Sequence, residues 1–321
     1  MSTPLIQILI PTYNPNPNHL RAALKSVLAQ TEDRWTLLIH DDASDTDVQA
    51  QIALALQDSR IQFKRSSKRR GIGGNWNAAL KNAAHTPYIQ FLFQDDAWSP
   101  DYLERSLHIL EQHPDIGFTV ADHIYTFEGM DESQPFYEAL RRERLAAVSP
   151  GKHAGEEFLR AWLARGLHPN LIGEPSFVML RKNLMDRLSP FREDMPQFLD
   201  VEYWMRCLLH ANWHFLKENL GAFRVHQAGA SAQNQETGSG IFDRFRCFQE
   251  LIQNLPEGEL KREAITARTR ALDTMVQKFF NRVRSGKHVN TFGSGALLSF
   301  IVRHPFLFVS ALMRSFRSSV H

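Results

Sequence analysis

"YIQFLFQDDAW", residues 88–98, passes from a mainly apolar run into two adjacent acids, Asp95 and Asp96. A short apolar run without alternation reads as a strand buried on both faces, which requires covering helices. Two earlier segments have the same form. "IQILIPTYN" (residues 6–14) ends in Pro11, Thr12, Tyr13 and Asn14, and "WTLLIHDD" (residues 35–42) ends in Asp41 and Asp42.

Helical spacing fills the intervals. Leu20, Leu24, Val27 and Leu28 share one face, and "VQAQIALALQ" (residues 48–57) and "NWNAALKNAA" (residues 75–84) read as further helices. Ser99 as cap and Pro100 at the first helical position open a helix that carries Leu103, Leu107 and Leu110. "IQFKRS" (residues 61–66) and "IGFTVADHIYTF" (residues 116–127) add strands. This alternation predicts an α/β fold with a mostly parallel sheet flanked by helices. Past residue 127 the rhythm breaks. Helices are expected over "GEEFLRAWLARGL" and "DVEYWMRCLLHA", a strand or strand pair over "WHFLKENLGAFRVH", a linker over Ala228 to Ile241, and helices from there to the end.

Composition narrows the class. The 321 residues are 43% hydrophobic and 22% charged with a net charge of +2, so no electrostatic footprint of a nucleic-acid binder is present. Two cysteines, Cys207 and Cys247, make neither a disulfide framework nor a zinc cluster and are expected to be buried thiols in a reducing compartment. The first residues, "MSTPLIQILIPTYN", lack a charged n-region, and the expectation is a cytoplasmic protein without a signal peptide. No run of about 20 apolar residues occurs, so no bilayer-spanning segment is expected.

In an open α/β sheet, ligands bind beyond the carboxyl ends of the strands, where these polar residues fall. Neither a GxGxxG nor a GxxxxGK[ST] phosphate cradle follows the first strand. A phosphate ligand would then be held through a divalent cation on a carboxylate.

Six segments in order, "ILIPTYN", "LLIHDDASDTD", "RGIGGNWNAAL", "FLFQDDAWSPDYLE", "DVEYWMRCL" and "FRVHQAGAS", resemble the landmarks of family 2 inverting glycosyltransferases. The resemblance covers roughly residues 5–231. It implies a GT-A fold, a Rossmann-like mostly parallel mixed sheet flanked by helices, with a helical C-terminal extension. Residues 1–127 would form the nucleotide-sugar-binding half, 128–235 the acceptor-binding and catalytic half, and 236–321 a helical region.

The same resemblance implies roles. Pro11, Thr12, Tyr13, Asn14, Asp42, Gly71, Asn77, Asp95 and Asp96 would bind the donor, with Asp95 and His226 holding a Mn2+ or Mg2+ ion. Asp200, at a helix N-terminus that favours the anion, would be the base that deprotonates the acceptor, with Glu174 and Glu202 binding it. Trp76 stands where many relatives carry arginine, and Phe93 where the first acid of the DxD motif usually stands. Local alternatives remain for several of these residues: Asp41 and Ser44 as helix caps, Asp96 as a loop buttress or a cap for the Ser99 helix, Asp200 as an N-cap.

The implied partners are a nucleoside-diphosphate sugar, UDP-linked first of all, and a glycan or lipid-linked acceptor of cell-surface polysaccharide synthesis. Rival readings are a catalytically impaired nucleotide-sugar binder and a sugar nucleotidyltransferase. For "ALLSFIVRHPFLFVSALMRSF" (residues 296–316) the alternatives are core packing, a homodimer interface, or a peripheral helix on the inner face of the membrane.

Overall fold

The computed structural model describes residues 3–229, 234, 242–284 and 301–318. Most of the expected 228–241 linker, including Ser231 of the terminal signature, lies outside the described residues. The chain opens with β1 (Ile6–Thr12), α1 (Pro17–Leu28), β2 (Trp35–Asp41), the short α2 (Val48–Gln51), β3 (Ile61–Arg65) and α3 (Gly71–Lys81). Then come β4 (Tyr88–Phe91), β5 (Ala97–Trp98), α4 (Tyr102–Gln112), β6 (Ile116–Glu128), α5 (Gln134–Ala147), β7 (Gly151–His153) and α6 (Gly155–Ala164). Next are β8 (Val178–Arg181), α7 (Lys182–Met185), α8 (Leu199–His210) and the long β9 (Asn212–His226). Helices α9 (Asp243–Asn254), α10 (Glu259–Arg284) and α11 (Pro305–Ser318) follow.

One nine-stranded sheet runs β3-β2-β1-β4-β8-β6-β9-β5, with β7 on β9. β1 pairs in parallel with β2 and β4, β2 with β3, and β6 with β9, whereas β8 enters antiparallel between β4 and β6. The sheet therefore continues across the expected 127/128 division. The period of two along each strand sends alternate residues to two separate cores. Ile8 and Ile10 pack with Leu20, Leu24, Leu103 and Leu107, while Leu9, Ile89 and Phe91 pack with Trp76, Trp162 and Trp204.

Helix α1 starts where Asn16 accepts from the Asn18 N–H and Pro17 occupies the first turn. Three local expectations change. The helix expected over residues 48–57 stops after four residues, capped by Asp47 rather than by Asp41 or Ser44. Its apolar spacing leaves Leu54 83% exposed, so little burial supports a longer helix. Helix α4 begins at Tyr102, because the Ser99 N–H donates to Leu220 O and the Ser99 carbonyl accepts from Gln30 and Tyr102. Strand β4 ends at Phe91, and the acids lie in the turn between β4 and β5, where the Asp96 N–H donates to Phe93 O.

The C-terminal helices pack on the domain. Cys247, Phe248 and Leu251 of α9 and Leu260, Ala264 and Ala267 of α10 join the α8 core, and Cys207 and Cys247 are both buried and free. Ala311 of α11 packs with Phe245, Leu272 and Val276, while Phe306, Val309 and Met313 are exposed. Among the described residues, no helix is long and apolar enough to cross a membrane.

The contact between α6 and α8 leaves no room for a side chain at Gly155. A Cβ there would lie 2.1 Å from Ala211 O and 2.3 Å from Leu208 O. Gly155→Ala should destabilise the protein by about 1–3 kcal/mol or more through overpacking, read as a lower urea midpoint with an unchanged m-value.

Candidate active site

The ends of β1 and β2, the acid turn after β4, the segment before β8, the start of α8 and the end of β9 converge. The lip is knitted by side chains. Thr12 Oγ1 donates to Asp41 Oδ1 at 3.1 Å, and Asn14 clasps the β2 exit through Ser44 Oγ and both faces of Asp45, each at 2.8 Å. Gln94 binds the backbone of Tyr13 in both directions, and the Arg69 guanidinium covers the Tyr13 ring at 4.1 Å. Asp42 accepts from the backbone N–H groups of Arg70 and Gly71, at 2.8 and 2.9 Å, and so fixes the entry to α3.

The two acids of the turn differ. Asp95 is partly exposed, and its Oδ2 lies 2.9 Å from His226 Nε2. Asp96 is 1% exposed: its Oδ2 accepts from Ser176 Oγ at 2.6 Å and its Oδ1 from the Arg224 N–H at 3.1 Å. Burial and the adjacent Asp95 push its pKa well up. Of the roles expected for Asp96, this geometry fits the loop buttress; it does not cap a helix.

Phe93 turns inward. Its ring stacks on Trp76 with centroids 4.9 Å apart, and Trp76 meets Phe191 edge-on at 5.2 Å. The two departures from the family pattern thus occupy each other. Asn77 exchanges hydrogen bonds with the Phe191 backbone, both at 2.9 Å, so it tethers the chain that leads into α8.

Asp200 sits in the first turn of α8, and Asn170 Nδ2 donates to its Oδ2 at 2.9 Å. Asn170 also bonds Gly173 N and O, and Gly173 O accepts from Trp204 Nε1. Gly173 has φ +101°, and a Cβ there would meet Arg144 at 2.7 Å, so glycine is required. Burial raises Asp200 to about 7, with the charge of Glu174 adding to it and the Val201 N–H and Asn170 opposing. The helix terminus was expected to favour the anion and keep this group ready as a base near neutral pH. Burial is the larger influence and outweighs the favourable helix terminus, whose effect is about 0.3–1 kcal/mol.

Glu174 goes the other way. Burial alone would raise it, but His123 at 2.9 Å and Arg144 at 4.0 Å outweigh that and hold it at about 2. Arg144 and Arg141 both bind Asp122 of β6. Glu202, expected at the acceptor, instead forms a two-pronged ion pair with Arg206, which also donates to the carbonyls of Ser189 and Pro190. That contact braces the α8 approach.

Asn170, His123, Arg144 and Asp122 were not singled out as site residues from sequence. Two of them had a signal: Asp122 and His123 interrupt an otherwise apolar strand. The donor set also fits a divalent ion in part. A carboxylate and an imidazole already in contact, Asp95 and His226, can supply two ligands, while no group of three or more His, Cys, Asp or Glu occurs among the described residues. The rest of the coordination shell would come from ligand phosphates and water.

Comparison with known proteins gives this arrangement its class. Residues 7–167, half of the chain, match Glycosyl transferase family 2. The succinoglycan biosynthesis protein ExoW of Rhizobium meliloti is 25% identical over 295 residues, 88% of this chain and 84% of that protein. Among solved structures, residues 1-349 of S. aureus TarS in complex with UDP-GlcNAc superpose with TM-score 0.62 at 17% identity, covering 96% of this chain and 79% of that one. The mannosyltransferase PcManGT of Pyrobaculum calidifontis, in complex with GDP-Man and Mn2+, gives TM-score 0.59 at 15% identity, covering 98% and 88%. The structural likenesses speak for the fold and the family match for the class: the chain is a glycosyltransferase of family 2 with a GT-A fold.

Proposed function

We propose that the protein transfers a sugar, with inversion, from a nucleoside-diphosphate sugar to a hydroxyl group of a glycan or lipid-linked acceptor. The observation that carries this reading is the placement, in a chain whose residues 7–167 match family 2, of Asp200 in the first turn of α8 against Asn170; burial raises it to about 7 while His123 and Arg144 lower Glu174 to about 2. Such a split assigns roles: one acid stays ionised to orient, the other exchanges a proton near neutrality.

In the proposed step, Asp200 takes the proton of the acceptor hydroxyl. That oxygen forms a bond to the anomeric carbon from the face opposite the phosphate. The bond from the anomeric carbon to the phosphate oxygen breaks, and nucleoside diphosphate leaves with the electron pair. Asn170 orients the base through its 2.9 Å hydrogen bond, and Glu174 receives acceptor hydroxyls. Pro11 to Asn14, Asp42 and Gly71 border the nucleoside, and Asp95 and His226 face the diphosphate. A divalent cation held there would supply charge neutralisation for the leaving group. ExoW supports an acceptor in polysaccharide synthesis, the UDP-GlcNAc complex of TarS supports a UDP-sugar donor, and PcManGT supports Mn2+.

Asp200→Asn should lower kcat/KM by about 10²–10⁴-fold, the range for losing a general base, while nucleotide-induced thermal stabilisation persists. Transfer at the parental rate would refute the assignment. Because the base must be ionised, kcat/KM should rise with pH through about 7. Glu174→Gln removes a charge that raises Asp200 and should move this limb to lower pH; Asn170→Ala removes a bond that lowers it and should move the limb to higher pH.

A thermal-shift panel of UDP-, GDP- and dTDP-sugars with and without Mn2+ tests the donor and the ion together. At a ligand concentration 100 times Kd, binding should add about 2.7 kcal/mol of stability. The Mn2+-dependent part should vanish in His226→Ala; no response to any donor would sink the reading.

A further inference from the structure

Resting on the assignment of Asp200 and Glu174 above, we propose that Tyr125, Tyr137 and Phe136 form a subsite for a pyranose ring of the acceptor, with Glu174 receiving that ring's hydroxyls. Helix α5 places the parts. Tyr137, Arg141 and Arg144 recur at i, i+4 and i+7 and share one face. Both arginines bind the buried carboxylate of Asp122, which pins that face to β6 and sets the first turn of α5 beside the site.

There Tyr137 meets Tyr125 with centroids 4.9 Å apart, and Phe136, 59% exposed, abuts Tyr137 at 5.4 Å. The cluster is continuous with the proposed catalytic groups. Tyr125 lies 5.3 Å from the His123 ring, and His123 contacts Glu174. Both phenols are raised, first by burial and then by the charge of Glu174, which puts their ends within its electrostatic reach.

Phenol hydroxyls at partly buried positions usually find a hydrogen-bond partner. Among the described residues, no hydrogen bond joins the Tyr125 or Tyr137 hydroxyl to another protein group, and neither oxygen is among the buried unpartnered atoms, so both are open to solvent and to a ligand. A ligand that carries several hydroxyls would satisfy them and could donate to Glu174 at the same time. A pyranose combines such a rim with an apolar C–H face, which suits the exposed Phe136 ring. A phosphate or phospholipid headgroup does not suit the place: Glu174 is a fixed anion there, and the nearby cations, Arg141 and Arg144, are taken up by Asp122.

The test is saturation-transfer NMR with a panel of methyl pyranosides (gluco, galacto, manno and N-acetylgluco), plus decyl phosphate, in the presence of UDP and Mn2+. The wild-type protein should transfer saturation to the ring C–H protons of at least one glycoside. Phe136→Ala and Tyr137→Phe should each reduce the signal several-fold, and Phe306→Ala, at an exposed position of α11, should leave it intact. Three results would overturn the proposal: no glycoside signal from the wild type, a signal unchanged in Phe136→Ala and Tyr137→Phe, or a response confined to decyl phosphate. Failure of the catalytic assignment shows separately, as sugar transfer that survives Asp200→Asn.

Discussion

The buried carboxylate of Asp96 is the junction on which the site depends. It receives hydrogen bonds from Ser176, in the segment before β8, and from the Arg224 backbone, near the end of β9. Ser176 Oγ in turn accepts from the Phe93 N–H, and Ser176 O accepts from Gln90 and Trp98. Three stretches separated by some 80 and 130 positions in sequence are therefore held at one point. That junction sets Asp95 against His226 and brings Glu174, two residues before Ser176, to the acid turn. A buried polar group this well satisfied rigidifies its surroundings, because losing any one partner leaves a desolvated charge or dipole.

The positions where the chain departs from the family pattern have a common structural use. Trp76 and Phe93 stack, and with Phe91, Phe191 and Tyr203 they form an aromatic layer between α3, β4 and the approach to α8. Asn77 ties the same approach by backbone hydrogen bonds, and Arg206 ties it from the other side. The loop that delivers Asp200 is thus supported by apolar packing where a polar donor contact was expected.

Electrostatics then differentiates acids that look alike as residue types. Asp200 is enclosed with an amide for company and rises; Glu174 is enclosed with a histidine and an arginine and falls. Asp122 pairs with Arg141 and Arg144 of α5, so those two guanidinium groups are engaged and the wall beside Glu174 presents hydroxyls and aromatic rings.

By itself, the sequence determined the alternating strand-helix architecture of residues 6–112 and the edge at which the polar strand ends gather. Apolar runs ending in polar residues can be buried only as strands of a covered sheet, and parallel strands carry their polar ends to one edge. The resemblance of six ordered motifs implied that Asp95, Asp200 and His226 belong with them. Only the tertiary structure decided the partners of the acids: Asp96, expected at the donor or as a loop buttress, bonds Ser176, and Glu202, expected at the acceptor, bonds Arg206. It also decided the short strand β8, which reads locally like any apolar tetrapeptide, and the network of Asn170, His123 and Arg144 around the carboxylates of Asp200 and Glu174. Those contacts join residues far apart in the chain, and the pKa of a carboxylate depends on how deeply the fold encloses it and on which charges it brings near, neither of which a local pattern encodes.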